Sequence, residues 1–404
     1  RRVLFRSNAG QISVCHCEPW AGPGVPAKVL RWMLRDDAPL LLRPRWPVGD
    51  GWRQWLWGLR FLAQCNGQAF ERNVAQLVAL GNYSHAVLKE LVAGTGIEFQ
   101  RVERGIAHYF TDEAAFDAAR RAAALMRLHG VQRRVISREE LLSIEPALQP
   151  FAERIVGATY APGDESGNAR EFTEQLARRC EARGARFLFG RDVERLEAQG
   201  GMLDGVRVRD RATGGALSMS ADAVVVACGS YSEPLLRTAG LRLPICPGKG
   251  YSATFPLLRP QAAPWVSLLD DEVKCAMSRM GDRLRVAGTI EMAGFDTRLD
   301  TPVARARCRL LAQRVEQVLP GVCDTRDVAE GGDPQWWCGL RPATPTNVPY
   351  IGRTRIAGLW VNTGHGTLGW THGAGSGKAL AELVSGKRPP IAFDFLGFDR
   401  ALRV

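Results

Sequence analysis

Apolar residues follow two different rhythms along this chain. In "DGWRQWLWGLRFLAQCN" (50–66), Trp52, Trp55, Leu56, Leu59 and Leu62 recur at i, i+3, i+4 and i+7, with Arg53, Arg60 and Gln64 opposite. That spacing predicts an amphipathic helix with its apolar stripe turned to the core. A helix lying at an interface is the alternative, because Trp57 falls on the Arg-bearing face. The same period predicts helices at about 70–93, 111–129, 137–144, 169–184 and 301–319.

Elsewhere the rhythm is that of strands. "RIVGATYAPGDESGNA" (154–169) reads as strand then loop, "ARFLFGRDVERLEAQ" as strand, turn, strand, and "DGVRVRD" with "LSMSA" as a hairpin. "DAVVVACGSYSEPLL" (222–236) begins with an unbroken apolar run, the pattern of a buried parallel strand, then a Gly turn and a helix start. Between about 245 and 335, "GKGYSATF", "WVSLLD", "KCAMSRM" and "RLRVAGT" alternate as antiparallel strands do. The last block, 359–385, reads as strand, Gly loop, helix. Nucleotide-type α/β sequence therefore occurs in separate blocks, with an antiparallel sheet-plus-helix domain inserted among them.

Length and composition narrow the class. A chain of 404 residues, 46% hydrophobic and 24% charged, is globular and long enough for two domains. The net charge is +11, carried by arginines scattered along the chain. This suits an anionic substrate, cofactor or membrane surface, whereas nucleic acid would need a basic patch with stacking aromatics. Ten irregularly spaced cysteines argue for reduced thiols, and Cys15-His16-Cys17 lacks the second ligand pair that zinc would need. No apolar run is long enough for a membrane-spanning helix, and the first residues are not expected to be a signal peptide.

Three elements carry candidate chemistry. "TGHGTLGWTHGAGSGKAL" (363–380) contains Gly364-His365-Gly366-Thr367-Leu368-Gly369, a G-x-G-x-x-G after a strand and before a helix. It lacks the second strand and acidic residue of a dinucleotide fingerprint, and "GAGSGKA" fails the P-loop spacing. What remains is a helix N-terminus aimed at a delocalised anion, or a tight packing turn. Ala227-Cys228-Gly229-Ser230, after the Val strand, lets backbone approach a pyrophosphate or simply turns into a helix. "CGLRPATPTNVPYIGRT" (338–354) holds Arg341 on a Pro-stiffened segment, where a guanidinium grips a carboxylate with two hydrogen bonds or lies on the surface.

Together and in this order, these elements resemble the FAD-dependent D-amino-acid oxidase superfamily, and within it the small-subunit type of bacterial D-amino-acid dehydrogenase. The likeness is carried by "NAGQIS" (8–13), "PWAGPGVP" (19–26), "GKGYSAT" (248–254), "GLRPATPTNVPYIGRT" (339–354) and "NTGHGTLGWTHGAGSGKAL" (362–380). It extends from Asn8 to about Phe398. This sequence departs from the pattern at Thr346-Asn347 and at "SVCHCEP".

The resemblance implies an α/β (α+β) fold: a Rossmann-like FAD domain at 1–30, 150–244 and 338–404, and a substrate domain at 31–149 and 245–337. It also implies a phosphate-binding βαβ unit before "NAGQIS", which takes roughly forty residues. "RRVLFRS" does not match that unit, so the sequence is expected to be N-terminally incomplete, and its own grip on FAD weakened. Asn8, Ala9, Gly10 and Gln11 are expected on the pyrimidine side of the flavin, Val193 near adenine, and Ala227 and Gly229 at the pyrophosphate. Gly364, Gly366, Thr367, Leu368 and Gly369 are expected to cap the ring, with His365 beside it.

Arg341 is expected to hold the substrate carboxylate, with Tyr251 either a second contact or a packed core residue. The implied reaction oxidises a D-amino acid such as D-alanine to an imino acid, which water hydrolyses to a 2-oxo acid and ammonia. Electrons are expected to pass to a quinone or other membrane acceptor, from a cytoplasmic protein in peripheral contact with the inner membrane. The alternatives are action on glycine, sarcosine or proline, or a flavin-free fragment without activity.

Overall fold

The computed structural model describes residues 8–26, 40–42 and 51–399. The expectation about the chain before Asn8 falls outside these residues. Helices form where the period of 3.6 predicts them: Gly51–Gln64, Gly67–Thr95, Glu113–Leu128, Arg138–Ile144, Ala169–Glu181, Pro302–Val318 and Gly369–Val384. Several starts are written locally. Asn66, Asp112, Ser137, Asn168 and Thr301 each turn a side-chain oxygen onto a backbone N–H of the first helical turn.

A nine-stranded mixed sheet dominates the fold. Its order is Trp337–Ala343, Cys246–Pro256, Arg283–Met292, Cys275–Met280, Ser267–Asp270, Ile106–Phe110, Gly157–Ala161 and Arg134–Ile136, with Leu40–Leu42 joined to Arg283–Met292. The four strands expected between 245 and 335 are antiparallel to one another, as their alternation implies. Helix Pro302–Val318 buries Leu311, Val315 and Val318 in the main core with Phe255, Leu268 and Val286. The sheet also recruits Gly157–Ala161 and Trp337–Ala343, which the expected boundaries assign to the cofactor domain.

A smaller sheet joins Val224–Val226 in parallel to Leu359–Thr363, which pairs antiparallel with Tyr350–Arg353. Helix Gly369–Val384 follows directly and packs against Gly67–Thr95, where Ser84 Oγ accepts from Gly375 N at 2.9 Å.

Two expectations fail here. The first strand of "ARFLFGRDVERLEAQ" does not form: 185–190 is irregular and only Arg191–Gln199 pairs. No described strand lies beside it, and an apolar run becomes a strand only where its backbone finds partners. Phe187, Leu188 and Phe189 are left exposed. The Val strand pairs in parallel as read, but it is not fully buried, because Val225 is 44% exposed on a face that no described element covers.

The Trp helix is a third correction. Its apolar stripe is not buried in a core: Trp55 is 51%, Leu59 65% and Leu62 49% exposed, and all three line a large cleft. The opposite face is anchored by polar contacts. Arg53 Nη1 pairs with Glu233 Oε1 at 2.6 Å, Gln54 Nε2 donates to Met292 O at 3.1 Å, and Trp57 Nε1 donates to Ala343 O at 2.9 Å. Directed hydrogen bonds override a stripe that the amphipathic rule would bury.

Candidate active site

Both sheets open onto one cleft of about 3560 Å³. That is several times the roughly 300–1,000 Å³ of an ordinary small-molecule pocket. The strand Trp337–Ala343 brings Arg341 to its wall, and the turn after Leu359–Thr363 brings His365–Gly369. The two walls touch: Gly366 N donates to Pro342 O at 3.0 Å, and Ala343 bridges to His365.

Arg341 is the cation of this wall. Its guanidinium lies over Gly250, where a Cβ would come within 2.1 Å of Nη1. Nη1 donates to Thr289 O at 2.9 Å. Burial lowers its pKa to about 10, so it remains charged at neutral pH. No carboxylate among the described residues pairs with it. A buried cation without a counter-charge is costly, and an incoming carboxylate offsets that cost.

The facing wall works through its backbone. Gly364 sits at φ +85, a conformation other residues adopt only with strain, and a Cβ there would lie 2.6 Å from Thr344 Cγ2. Helix Gly369–Val384 has no side-chain cap at Leu368, so its first N–H groups are not taken by a capping side chain. Gly364 does not reach the cleft surface, while His365, Gly366, Thr367, Leu368 and Gly369 line it. His365 Nε2 meets Ser376 Oγ at 3.1 Å, and burial lowers its pKa to about 4, so it is neutral at physiological pH.

The other expected residues converge on the same cleft. Asn8, Ala9, Gly10 and Gln11 line it, held by Asn8 Oδ1 on Gly10 N (2.9 Å), Ser278 Oγ on Ala9 O (2.7 Å) and Gln11 Nε2 on Ser267 Oγ (2.9 Å). Ala227 and Gly229 line it beside Thr363, whose hydroxyl donates to Gly229 O at 3.0 Å. Val193 lines it as well, half exposed. Tyr251 borders the cleft but is 1% exposed and belongs to the main core. Its hydroxyl donates to Glu291 Oε2 at 2.5 Å, and burial with that carboxylate pushes its pKa well above the ordinary tyrosine value. Tyr251 thus packs in the core while also lining the cleft.

A match to the family description "FAD dependent oxidoreductase" (DAO) spans residues 20–383. The chain belongs to that family. It is 47% identical over 390 residues to the D-amino acid dehydrogenase of Dechloromonas aromatica, covering 96% of this chain and 90% of that one. It is 45% identical to the enzyme of the same name from Paramagnetospirillum magneticum, over 98% of this chain and 89% of that one. Among solved structures, glycine oxidase from Geobacillus kaustophilus superposes with a TM-score of 0.67 at 27% identity, covering 81% of this chain and 84% of that one. L-Proline dehydrogenase from P. horikoshii gives 0.66 at 18% identity, over 80% and 82%, a likeness of fold.

The cleft fits the FAD of this family. It has the volume for a dinucleotide, a helix start without a side-chain cap, and Asn362 Oδ1 buried on its wall without a partner among the described residues. Gly250 and Thr289 escape the reading of the sequence. The glycine between Lys249 and Tyr251 in "GKGY" is a usable signal for a close approach, but Thr289 carries none. A polar cluster beside the cleft is equally invisible in spacing. Ser13 Oγ donates to Asp164 Oδ2 at 2.5 Å and lies 2.7 Å from His16 Nδ1, although Ser13 and Asp164 are 151 positions apart.

Proposed function

We propose that this protein is an FAD-dependent dehydrogenase of small D-amino acids such as D-alanine, yielding the 2-oxo acid and ammonia. One observation carries the reading: the Arg341 guanidinium, without a carboxylate partner among the described residues, lines the same cleft as the glycine turn. The names of the relatives at 47% and 45% identity support the substrate class. Bound FAD supplies the oxidising chemistry.

The chain's own residues bind and orient. Arg341 holds the carboxylate, fixing Cα relative to the glycine wall. Asn8–Gln11, Val193, Ala227 and Gly229 hold the cofactor, and Gly366–Gly369 with His365 cap its ring, within a two-part organisation of cofactor and substrate domains. Neutral His365 packs against the ring without adding positive charge. Tyr251 holds its place through Glu291 and shapes the wall behind Arg341.

The test is anaerobic mixing of the flavin-loaded protein with D-alanine, which should bleach the visible flavin band, whereas L-alanine should not. Bleaching by glycine, sarcosine or proline but not by D-alanine would sink this reading in favour of a related amine oxidoreductase. A purified chain that takes up no flavin would sink it altogether.

We further infer that electrons leave to a membrane acceptor such as a quinone, with peripheral contact on the cytoplasmic side of the inner membrane. No helix among the described residues is long and apolar enough to cross a membrane. The exposed Trp55, Leu59 and Leu62, which also line the cleft, stand on the same helix as exposed Arg60, a pattern that suits a headgroup layer at the cleft. Co-flotation with anionic vesicles should be lost on Leu59→Ser. Flotation that Leu59→Ser leaves intact would count against this surface.

A further inference from the structure

Thr289 combines two unusual features beside Arg341. It is a β-branched residue at φ +54, in the left-handed region that such side chains avoid. Its hydroxyl Oγ1 is buried and without a hydrogen-bond partner among the described residues, although Thr289 lines the cleft and is 2% exposed overall. Buried hydroxyls are ordinarily satisfied, and strained backbone clusters where ligands bind.

The strain has a visible consequence. The strand Arg283–Met292 shifts register against Cys246–Pro256 at this point, between Lys249 and Tyr251. The carbonyl of Thr289 thereby meets Arg341 Nη1 at 2.9 Å. Gly250, on the neighbouring strand, leaves the space in which the guanidinium lies. A guanidinium has five N–H donors, and this contact uses one. The others remain for an anion, and the unpartnered hydroxyl belongs to the residue that pins the guanidinium.

We propose that Thr289 is a substrate-binding residue: its hydroxyl donates to the carboxylate that Arg341 grips, while its carbonyl sets the guanidinium's orientation. This rests on the reading of Arg341 as the carboxylate anchor. It assigns the carboxylate two unlike donors, so a substrate whose carboxylate is replaced by an amide keeps one acceptor oxygen and no charge, and cannot satisfy both as an anion does.

The test uses the full chain loaded with FAD and D-lactate, which keeps the carboxylate and replaces the amine with a hydroxyl. Binding is read by calorimetry and thermal shift. Thr289→Val keeps the branched shape and the main-chain carbonyl but removes the hydroxyl. It should raise the Kd for D-lactate about tenfold, the scale of one hydrogen bond to a charged group. Thr289→Ser should restore binding to within about twofold. Thr289→Gly, at ease at this φ, removes the hydroxyl without strain and should weaken binding as the valine variant does, which covers a valine variant that fails to fold. KM for D-alanine should follow Kd while kcat holds. Parental affinity in the valine or glycine variant overturns the proposal. Arg341→Leu separates the two layers. If it loses D-lactate while the Thr289 variants keep it, only the Thr289 assignment falls. If it too binds normally, the anchor reading falls with it.

Discussion

The two walls of the cleft are built on opposite terms. Arg341 stands on a strand of the nine-stranded sheet, and its side chain is the functional part, held by Thr289 O and the space over Gly250. The facing wall, His365–Gly369, offers backbone amides and a helix start, and relies on missing side chains at Gly366 and Gly369 and at Gly364 just before it. One wall should be sensitive to the loss of a side chain and the other to the gain of one.

The sharpest way to break that contrast is Arg341→Leu. Truncating one partner of a desolvated charge pair costs about 2–5 kcal/mol, so kcat/KM for D-alanine should fall roughly 30- to 4,000-fold. The melting temperature should hold or rise, since an uncompensated buried cation is removed. Near-normal kcat/KM would contradict the assignment of the side-chain wall. The counterpart just behind the other wall is Gly364→Ala. The positive φ and the contact with Thr344 together should cost about 2–4 kcal/mol of stability. Flavin retention should drop with it, and denaturant melts with visible absorbance read both.

Acid sharpens the comparison further, because the glycine wall carries His365 and His372, with pKa values lowered to about 4 and about 3 by burial. A histidine depressed in the folded state stays neutral there while the unfolded chain takes up a proton. Its contribution is therefore present above pH 6.5 and lost as pH falls toward the folded value. Each should cost about 1.4 kcal/mol for each pH unit below 6.5. His16 and His108, also lowered by burial, act in the same direction. Asp164, raised to about 6, opposes them, since it gains stability as pH falls from about 6 toward 3.8. Melting between pH 7.5 and 5 should show falling stability, and a flat profile would contradict it. The smallest effect belongs to Trp57→Phe, which deletes the bond to Ala343 O and should cost about 0.5–1.5 kcal/mol. Leu59→Ser, on the exposed stripe, should leave stability within about 0.5 kcal/mol.

Much of the site was legible because it lies in contiguous segments. The turn 364–369 announces its glycines, and Arg341 sits in a Pro-marked run. The helix starts at Asp112, Ser137 and Thr301 are local hydrogen bonds between residues three apart. The misreadings share a cause. Hydropathy along "GWRQWLWGLRFLAQ" says how the faces differ but not which one the protein meets. "ARFLFG" says that a strand would be favourable but not that a partner is present.

The sequence by itself determined the family, the helices, the antiparallel run from 246 to 292 and the glycine turn, because each depends on neighbours close in the chain. Only tertiary structure decided that Arg341 lies over Gly250 and against Thr289, that Tyr251 gives its hydroxyl to Glu291, and that the Trp stripe is left exposed along the cleft. Those outcomes depend on which atoms, tens to hundreds of residues away, arrive to take a hydrogen bond or occupy a volume.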